Sequence, residues 1–266
     1  MSATLTILRR GARAGILSLA ALLAACGSGG PLKIDDSYSA KGQNSRVRYL
    51  VVHYTAGNNL TSLKVLTQRD VSAHYLITDE RRPTVYRLVD ESRRAWHAGL
   101  GSWYGFTDIN TGSIGIEIVN LGRLDDGRWM PYTPEQIKTV TILLQDLAQR
   151  HGVSARNIVG HSDVAPQRKL DPGPLFPWKE LAQAGIGRWY NEAQASQLQT
   201  QYASLPLPEA AEVQALLRKA GYETPDSGVF DKATQNVIAA FQMHYRPSRF
   251  DGVLDAQTLA ILKSLN

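Results

Sequence analysis

The segment GHSDVAPQRKLDPG, residues 160–173, concentrates side chains that can bind a metal ion or carry charge at a reaction site. It holds His161 and Asp171, and a second histidine, His53, ends the apolar run YLVVH. Two imidazoles and one carboxylate make three ligands, the number that catalytic zinc sites use while leaving one position for water. A single strand-end histidine is more often a hydrogen-bonded core residue, so spacing alone leaves both interpretations open. The sequence has no HExxH motif, which excludes a thermolysin-type zinc helix.

Short strands and helices must bring these side chains together. Apolar and β-branched runs predict strands at RVRYLVVHYT, AHYLIT, TVYRLV, SIGIEIVN and NIVG, with a hairpin at DERRP. LTSLKVLTQR predicts a helix, and TPEQIKTVTILLQDLAQRHG predicts a longer one with a capping box beginning at Thr133 and a stop at Gly152. Gly115 indicates a bulge or a close backbone approach. This order predicts an α/β fold, a mixed central sheet flanked by helices, with His53 and His161 facing one crevice.

The C-terminal part of the chain has a different pattern. From residue 178 to about residue 204 the sequence is polar and predicted to be helical, and LPLPEA then interrupts it. Three apolar-periodic helices follow, separated by the similar turns GVFDKAT and GVLDAQT. In both turns an aspartate lies three residues after the glycine and three before a threonine. This repeat predicts a small all-α three-helix domain of about 60 residues, near the lower size limit for folding alone.

The first residues have the composition of a secretory signal. Three arginines precede a short apolar run at residues 16–25, and Cys26 follows it. The run is too short to span a bilayer as a helix. The formal charge of +5 falls to +2 without residues 1–25, because they hold three arginines and no acidic residue. The charge therefore does not indicate a nucleic-acid partner, and none is expected.

The only cysteine of the chain lies in LAAC, which resembles a bacterial lipobox. The resemblance implies that Cys26 is lipidated and begins the mature protein; a free thiol in a cleaved leader is the alternative. Gly27 follows where an aspartate would favour the inner membrane, which implies an outer-membrane lipoprotein facing the periplasm. Each buried acyl methylene contributes about 0.8 kcal/mol, so several chains would give lasting attachment. With Cys26 lipidated, the folded part can have neither a disulfide nor a thiolate ligand.

Five motifs occur in a fixed order: VVHYTAG, SAHYLI, RAWHAG, SIGIEIVN and GHSDVAPQRKLDPG. Together they resemble the zinc-dependent N-acetylmuramoyl-L-alanine amidases related to phage T7 lysozyme and peptidoglycan recognition proteins, most of all the bacterial outer-membrane lipoprotein amidases. GVFDKAT and DGVLDAQT resemble the three-helix peptidoglycan-binding domain. The resemblance implies five segments: a signal peptide (1–25), a tether (26–44), a zinc amidase domain (45–190), a helical linker (191–204) and a peptidoglycan-binding domain (205–266).

The family's catalytic residues match five positions of this sequence. The resemblance implies that His53, His161 and Asp171 bind one Zn2+ per chain. Glu117 matches the catalytic glutamate and is expected to act as general base, with a solvent-facing strand residue as the alternative. Lys169 matches the basic residue before the third ligand and is expected to stabilise an oxyanion, although a solvated loop lysine is the default elsewhere.

Other residues of the motifs are assigned supporting roles. His74, Trp96 and His97 lie in family motifs near the groove and are expected to line the substrate; core packing is the alternative for Trp96. Asp163 is expected to orient a histidine ligand by a hydrogen bond. His244 lies outside the catalytic region and is assigned no role.

The resemblance implies zinc-dependent hydrolysis of the amide bond between N-acetylmuramic acid and L-alanine in peptidoglycan or its fragments. Peptidoglycan, muropeptides and, through Cys26, a membrane are the expected partners; no protein partner is predicted. A non-catalytic peptidoglycan-binding lipoprotein and a zinc peptidase acting within the stem peptide are the alternatives. The complete set of polar site residues favours an enzyme. Residues 205–266 are expected to add affinity for the polymer, so truncation before Leu205 should preserve hydrolysis of small muropeptides if the catalytic fold survives.

Overall fold

The computed structural model describes residue 32 and residues 34–265. The predicted signal peptide and Cys26 lie outside the described residues. Every helix and strand of the described chain belongs to the unit formed by residues 44–266. None of these helices is both long enough and apolar enough to cross a membrane.

The described residues form five strands and eight α-helices. The strands are β1 (Tyr49–Tyr54), β2 (Tyr75–Ile77), β3 (Val85–Arg87), β4 (Ser113–Ile118) and β5 (Ile158–Gly160). The helices are α1 (Asn59–Gln68), α2 (Pro134–His151), α3 (His161–Val164), α4 (Trp178–Gln183), α5 (Glu192–Tyr202), α6 (Ala210–Ala220), α7 (Lys232–Tyr245) and α8 (Ala256–Lys263).

The strands form one mixed sheet in the order β3-β2-β4-β1-β5, which confirms the predicted fold class. β1 pairs in parallel with both β4 and β5, β2 pairs in parallel with β4, and only β3 is antiparallel, in the predicted hairpin. Because β1, β4 and β5 run in the same direction, their carboxyl ends meet at one edge. Ligands of open α/β sheets bind at that edge.

Side chains on alternate positions of β1 enter two different layers of the protein. Leu50 and Val52 face the same side as Ile114 and Ile116 of β4, and this side packs against α2 and α4. The signals that define α2 are those predicted. The Thr133 hydroxyl accepts from the amide of the third helical residue at 3.1 Å, and the helix ends at a C-cap glycine in the left-handed conformation.

The opposite face of the sheet packs against the C-terminal helices. One hydrophobic core joins residues of both parts of the chain. Its members include Tyr49, Val51, Trp103, Val159 and Val164 on the sheet side and Val213, Leu217, Tyr222, Val237, Phe241 and Tyr245 on the helical side. A fully buried large apolar side chain contributes about 1.5–3 kcal/mol, whereas a whole domain is stable by about 5–15 kcal/mol. Truncation before Leu205 would expose this face, so the packing does not support the condition that the catalytic fold survives the truncation.

The two similar C-terminal turns form the same structure twice. Asp231 caps α7 and Asp255 caps α8, and each carboxylate accepts from the amide of the threonine three residues later at 2.8 Å. The amide of each turn glycine donates to a buried glutamine, Gln214 at 3.0 Å in the first turn and Gln242 at 2.9 Å in the second. The repeat therefore specifies the starts of α7 and α8, and with α6 they make the three predicted helices.

The polar segment before them is not one helix. Residues 184–191 separate α4 from α5, and Gly185 and Gly187 adopt positive φ of 80° and 74°, which ends the α-helical path. α5 then packs beside α8, and the Asn191 amide donates to the Ser264 carbonyl at 3.0 Å. The helix predicted for residues 191–204 therefore contacts the C-terminal helices directly.

Candidate active site

A cavity of about 400 Å³ opens at the edge where β1, β4 and β5 end. Seven residues predicted for the site line this cavity. They are both catalytic residues, all three metal ligands and two of the three substrate-lining residues. These are His53, Trp96, His97, Glu117, His161, Lys169 and Asp171. Residues distant in sequence meet here because three parallel strands end side by side.

The three predicted metal ligands form a compact triangle. His53 Nδ1 lies 2.9 Å from both His161 Nδ1 and Asp171 Oδ2, and the latter two atoms are 3.0 Å apart. All three side chains are buried. Each imidazole nitrogen carries at most one proton, and a proton points at one acceptor. The three short distances between these atoms therefore cannot all be hydrogen bonds. Ligand atoms at 2.0–2.1 Å around a tetrahedral zinc would be about 3.3 Å apart, so the donors and their spacing fit this ion.

A chain of hydrogen bonds behind His53 assigns its tautomer. The Ser113 hydroxyl donates to the Ile109 carbonyl at 2.5 Å, which can only accept. Ser113 Oγ therefore accepts from His97 Nε2–H at 3.0 Å, and His97 Nδ1 accepts from His53 Nε2–H at 3.0 Å. Burial lowers the pKa of His97 well below its ordinary value, so this ring is neutral as the chain requires. The lone pair of His53 Nδ1 is then free to face the triangle.

His161 is arranged in the same way. Its Nε2–H donates to the Ala98 carbonyl at 2.9 Å, which leaves Nδ1 as the ligand atom. Burial, and then repulsion from His161, lower the pKa of His53 to about 4. Burial alone would raise the pKa of Asp171, but the two imidazoles outweigh it and hold that pKa well below its ordinary value. At neutral pH His53 and Asp171 are thus in their metal-binding protonation states.

Glu117 lies next to this triangle, on the same face of the sheet as His53. The two residues are register partners on adjacent strands. Glu117 Oε2 is buried and has no hydrogen-bond partner among the described residues. Desolvation, followed by repulsion from the Asp171 carboxylate, raises the pKa of Glu117 to about 8, and Lys169 opposes the rise. A buried carboxyl of this kind can take up or release a proton near neutral pH.

Lys169 lines the cavity, and its charge acts on the groups there. It lowers the pKa of both Glu117 and His53, though it is not the largest influence on either. The neighbouring Arg168 has a different role, because its guanidinium donates to the carbonyls of Ala98 and Leu100. Arg168 holds the loop whose Ala98 carbonyl orients His161.

The structure corrects the predicted role of His74. Its side chain is fully buried and does not line the cavity. His74 Nδ1 accepts from the Gly115 amide at 3.0 Å, and Nε2 bonds to the Arg93 carbonyl at 3.1 Å. A buried polar ring needs such partners, and here they join β4 to the loop after β3.

The other two predicted substrate-lining residues differ from each other. Trp96 is 56% exposed at the cavity and is available to a ligand. His97 also lines the cavity, but both of its ring nitrogens are engaged, by His53 and Ser113. Its ring occupies the space beside Gly115, where an added Cβ would lie 2.3 Å from it. The glycine of β4 therefore marks a close approach rather than a bulge.

Asp163 does not bond to a ligand histidine as predicted. Its Oδ1 accepts from the Tyr222 hydroxyl at 2.6 Å, and its Oδ2 pairs with His244 Nδ1 at 2.8 Å. His244 thus contacts the catalytic part of the chain, contrary to the interpretation that left it without a role. These partners lie 59 and 81 residues from Asp163, and no local motif connects them.

This fold and this site define a class of protein, the hydrolases that carry a metal site at the carboxyl ends of parallel strands. A family model for N-acetylmuramoyl-L-alanine amidase matches residues 43–174, and one for a peptidoglycan binding domain matches residues 207–262. The N-acetylmuramoyl-L-alanine amidase AmiD of Escherichia coli K12 is 38% identical in a 265-residue alignment. The alignment covers 94% of this chain and 95% of AmiD. The chain belongs to the N-acetylmuramoyl-L-alanine amidase family.

Solved structures give the same relationship. AmpDh3 from Pseudomonas aeruginosa in complex with anhydromuramic pentapeptide is 42% identical with a TM-score of 0.82, over 88% of this chain and 98% of that chain. The Escherichia coli AmiD complex with anhydro-N-acetylmuramic acid-L-Ala-D-gamma-Glu-L-Lys is 38% identical with a TM-score of 0.81, over 88% of this chain and 94% of that chain. The similarity therefore includes the C-terminal helices as well as the sheet.

Proposed function

We infer that this chain hydrolyses the amide bond between N-acetylmuramic acid and L-alanine in peptidoglycan or its fragments. Family membership supports the reaction, and the observation that carries it is the buried ligand triangle with Glu117 beside it. A non-catalytic binding protein would have no need for a carboxyl held unpaired next to a complete ligand set. AmpDh3 and AmiD have been solved with anhydromuramic peptides, which makes such fragments the first substrates to test.

His53, His161 and Asp171 would hold one Zn2+. The chemistry that this ion supplies at such a site is Lewis acidity, which polarises a carbonyl and makes water acidic near neutral pH. The hydrogen bonds from His53 to His97 and from His161 to Ala98 keep both ligand nitrogens aimed at the triangle.

Glu117 is assigned the proton transfers. In the ionised form its carboxylate takes a proton from the attacking water, and it then delivers that proton to the nitrogen of the leaving L-alanine. Without a cation the pKa of Glu117 is raised to about 8. A nearby positive charge favours the ionised form of a carboxyl, so a bound cation would favour the basic form of Glu117. No described residue donates a hydrogen bond to the buried Oε2, so that atom has no competing protein donor.

Lys169 and Trp96 are assigned to the substrate. The Lys169 ammonium stabilises the negative charge that develops on the carbonyl oxygen in the transition state. The exposed indole of Trp96 offers an apolar surface at the cavity for the sugar or the stem peptide.

The sequence supports a place for this reaction in the cell envelope. The leader and the LAAC motif favour a lipid on Cys26, with the protein on the outer membrane and facing the periplasm. The family match at residues 207–262 supports contact of the C-terminal helices with peptidoglycan. A lipid anchor and a wall-binding surface together would keep the active site next to its substrate.

Mass spectrometry of digested muropeptides tests the function. The purified chain, with zinc added, should split an anhydromuramic tripeptide into the sugar and a peptide that begins with L-alanine. Purified sacculi should release stem peptides in the same way. Cleavage between two amino acids would instead identify a peptidase, and intact substrates after prolonged incubation with zinc-loaded protein would contradict the hydrolytic assignment.

A further inference from the structure

We propose that the C-terminal helices complete the metal site: Tyr222 and His244 are positioning residues that hold the segment carrying His161 and Asp171. The proposal rests on the proposed function, since it concerns the same ligands. It assigns these helices a role in catalysis on small fragments, in addition to any contact with the polymer.

The contact is a buried carboxylate shared by both parts of the chain. Asp163, Tyr222 and His244 have exposed fractions of 1%, 1% and 5%. Besides the bonds from Tyr222 and His244, Asp163 Oδ2 accepts from the Gly160 amide at 2.7 Å. One carboxylate thus connects the backbone immediately before His161 to two different C-terminal side chains.

His244 also reaches the other end of the ligand segment. Its ring stacks on Trp178, at the start of α4, with centroids 4.1 Å apart and planes within 10°. On its other side it stacks on Tyr245 at the same centroid distance. His244 therefore contacts Asp163 near the start of residues 161–171, the stretch that holds two of the three proposed ligands, and Trp178 beyond its end.

A third contact lies between these two. Gln167 donates to the Ala233 carbonyl at 2.9 Å and accepts from Asn236 at 3.0 Å, so the middle of the segment also rests on α7. Within the segment, the Ser162 amide donates to the Asp171 carbonyl at 2.8 Å. A displacement of Asp163 would therefore move both His161 and Asp171, although Asp163 touches neither ligand atom.

The sheet alone does not provide this support. His53 is held within β1, whose neighbours are strands on both sides, whereas His161 and Asp171 follow the end of β5. β5 is a three-residue edge strand, and α3 is a single turn of four residues. Outside the sheet, the direct side-chain contacts described above come from Tyr222, which follows α6, and from α7. A catalytic site requires ligands held closely in place, and these contacts provide that order.

The test measures the zinc affinity of the chain that lacks only the predicted signal peptide, residues 1–25. Tyr222→Phe removes one hydroxyl and keeps the ring packed against Trp103, at 5.0 Å between centroids. His244→Phe keeps an aromatic ring between Trp178 and Tyr245 and removes the bond to Asp163. Ile261→Val is the control, because it weakens the same core without touching Asp163. Competition with a chelator gives the zinc dissociation constant, and thermal melting of metal-free protein gives the change in stability.

The expected result is a dissociation constant raised about tenfold or more in both variants, as for other residues that orient ligands indirectly. Ile261→Val should melt earlier yet bind zinc like the parent. With a soluble anhydromuramic peptide, kcat should fall at limiting zinc with little change in KM, and excess zinc should restore it. If His244→Phe does not fold, the zinc affinity of Tyr222→Phe, which loses only one hydroxyl, still tests the positioning role.

Parent-like zinc affinity in Tyr222→Phe and in folded His244→Phe would overturn the positioning role and leave the amidase assignment intact. A parent chain that binds zinc but hydrolyses no muropeptide would instead overturn the proposed function, while the comparison of affinities would still judge the positioning role. A parent chain that binds no zinc would overturn both.

Discussion

His53 and Glu117 are register partners on the adjacent parallel strands β1 and β4. Side chains in register on neighbouring strands point to the same face of a sheet, so a proposed ligand and the proposed base share one side of the cleft. The pairing of β1 with β4 therefore places the proposed base beside the proposed metal site, and both residues belong to strands and not to loops. The same placement puts the Glu117 carboxyl in a desolvated site near Asp171, which raises its pKa.

Glu117→Gln should separate proton transfer from metal binding. The amide has nearly the shape of the carboxyl and leaves all three proposed ligands in place, so zinc content should stay near one per chain. Turnover should fall by about 10²–10⁴-fold, the usual contribution of general acid–base catalysis. Elemental analysis and muropeptide hydrolysis on the same preparations check both.

Two comparison variants make that result specific. Asp171→Ala removes an anionic ligand and should lose zinc and turnover together, while Glu135→Gln changes an exposed carboxyl at the start of α2 and should alter neither. Loss of zinc in Glu117→Gln would make Glu117 a ligand or a structural residue, and full activity would remove it from the mechanism.

Zinc binding should release a proton from Glu117. In the metal-free protein a pKa of about 8 keeps this carboxyl mostly protonated at pH 7, and the incoming positive charge lowers the pKa. Calorimetry in buffers of different ionisation enthalpy should therefore find about one more proton released at pH 7 by the parent than by Glu117→Gln. The difference should vanish near pH 9, where the carboxyl is already ionised. Equal release at pH 7 would show that Glu117 does not change its protonation state.

His97→Phe should weaken zinc binding although His97 is not a ligand. The variant keeps the ring beside Gly115 but removes the acceptor of His53 Nε2–H, so the ligand tautomer is no longer favoured. Loss of such a partner typically lowers metal affinity by about 10–100-fold. Ser113→Ala, one hydrogen bond further from the metal, should have a smaller effect. An unchanged affinity of His97→Phe in chelator competition would refute the tautomer assignment.

Glu91→Gln should make the protein less stable at neutral pH but not in acid. Hydrogen bonds from Arg150, with smaller contributions from Tyr75 and His151, hold the pKa of Glu91 well below its ordinary value of 4.5. A carboxyl whose folded pKa is lowered stabilises the fold above its unfolded pKa, and this contribution is lost as the pH falls. Urea unfolding should show a loss of about 1–3 kcal/mol at pH 7 that shrinks below about pH 4. Asp126→Asn, in an exposed pair with Arg128, should change stability by less than about 1 kcal/mol at either pH.

Cys26→Ser should abolish the proposed attachment to the outer membrane. The proposed lipid attachment begins at the sulfur of Cys26, so the variant should incorporate no labelled palmitate and should leave the outer-membrane fraction. Ser28→Ala, two residues beyond the cysteine, is the matched control and should fractionate like the parent. Outer-membrane sedimentation of Cys26→Ser equal to that of the parent would show that another feature holds the protein there.

Local features of the chain were predictable because they depend on residues that are close in sequence. The capping box at Thr133, the helix stop at Gly152 and the repeated turns that end in Asp231 and Asp255 each involve a few consecutive residues, and all were found. Runs of apolar residues likewise predicted each of the five strands. The motifs around His53 and His161 indicated which residues should meet, because strand ends are visible in sequence.

Tertiary structure alone decided how the remaining side chains are used. Whether His74 faces the cavity or the core depends on which strand β2 pairs with, and a three-residue strand carries too little pattern to show it. The pairing of Asp163 with Tyr222 and His244 joins residues 59 and 81 positions apart, where only the packing of the C-terminal helices against the sheet sets the distance. The sequence by itself determined most of the elements, the residues proposed as metal ligands and the family. Only the fold shows that the C-terminal helices share a hydrophobic core with the sheet and contact residues 161–171. The physical reason is that burial of apolar surface between distant segments depends on the whole chain.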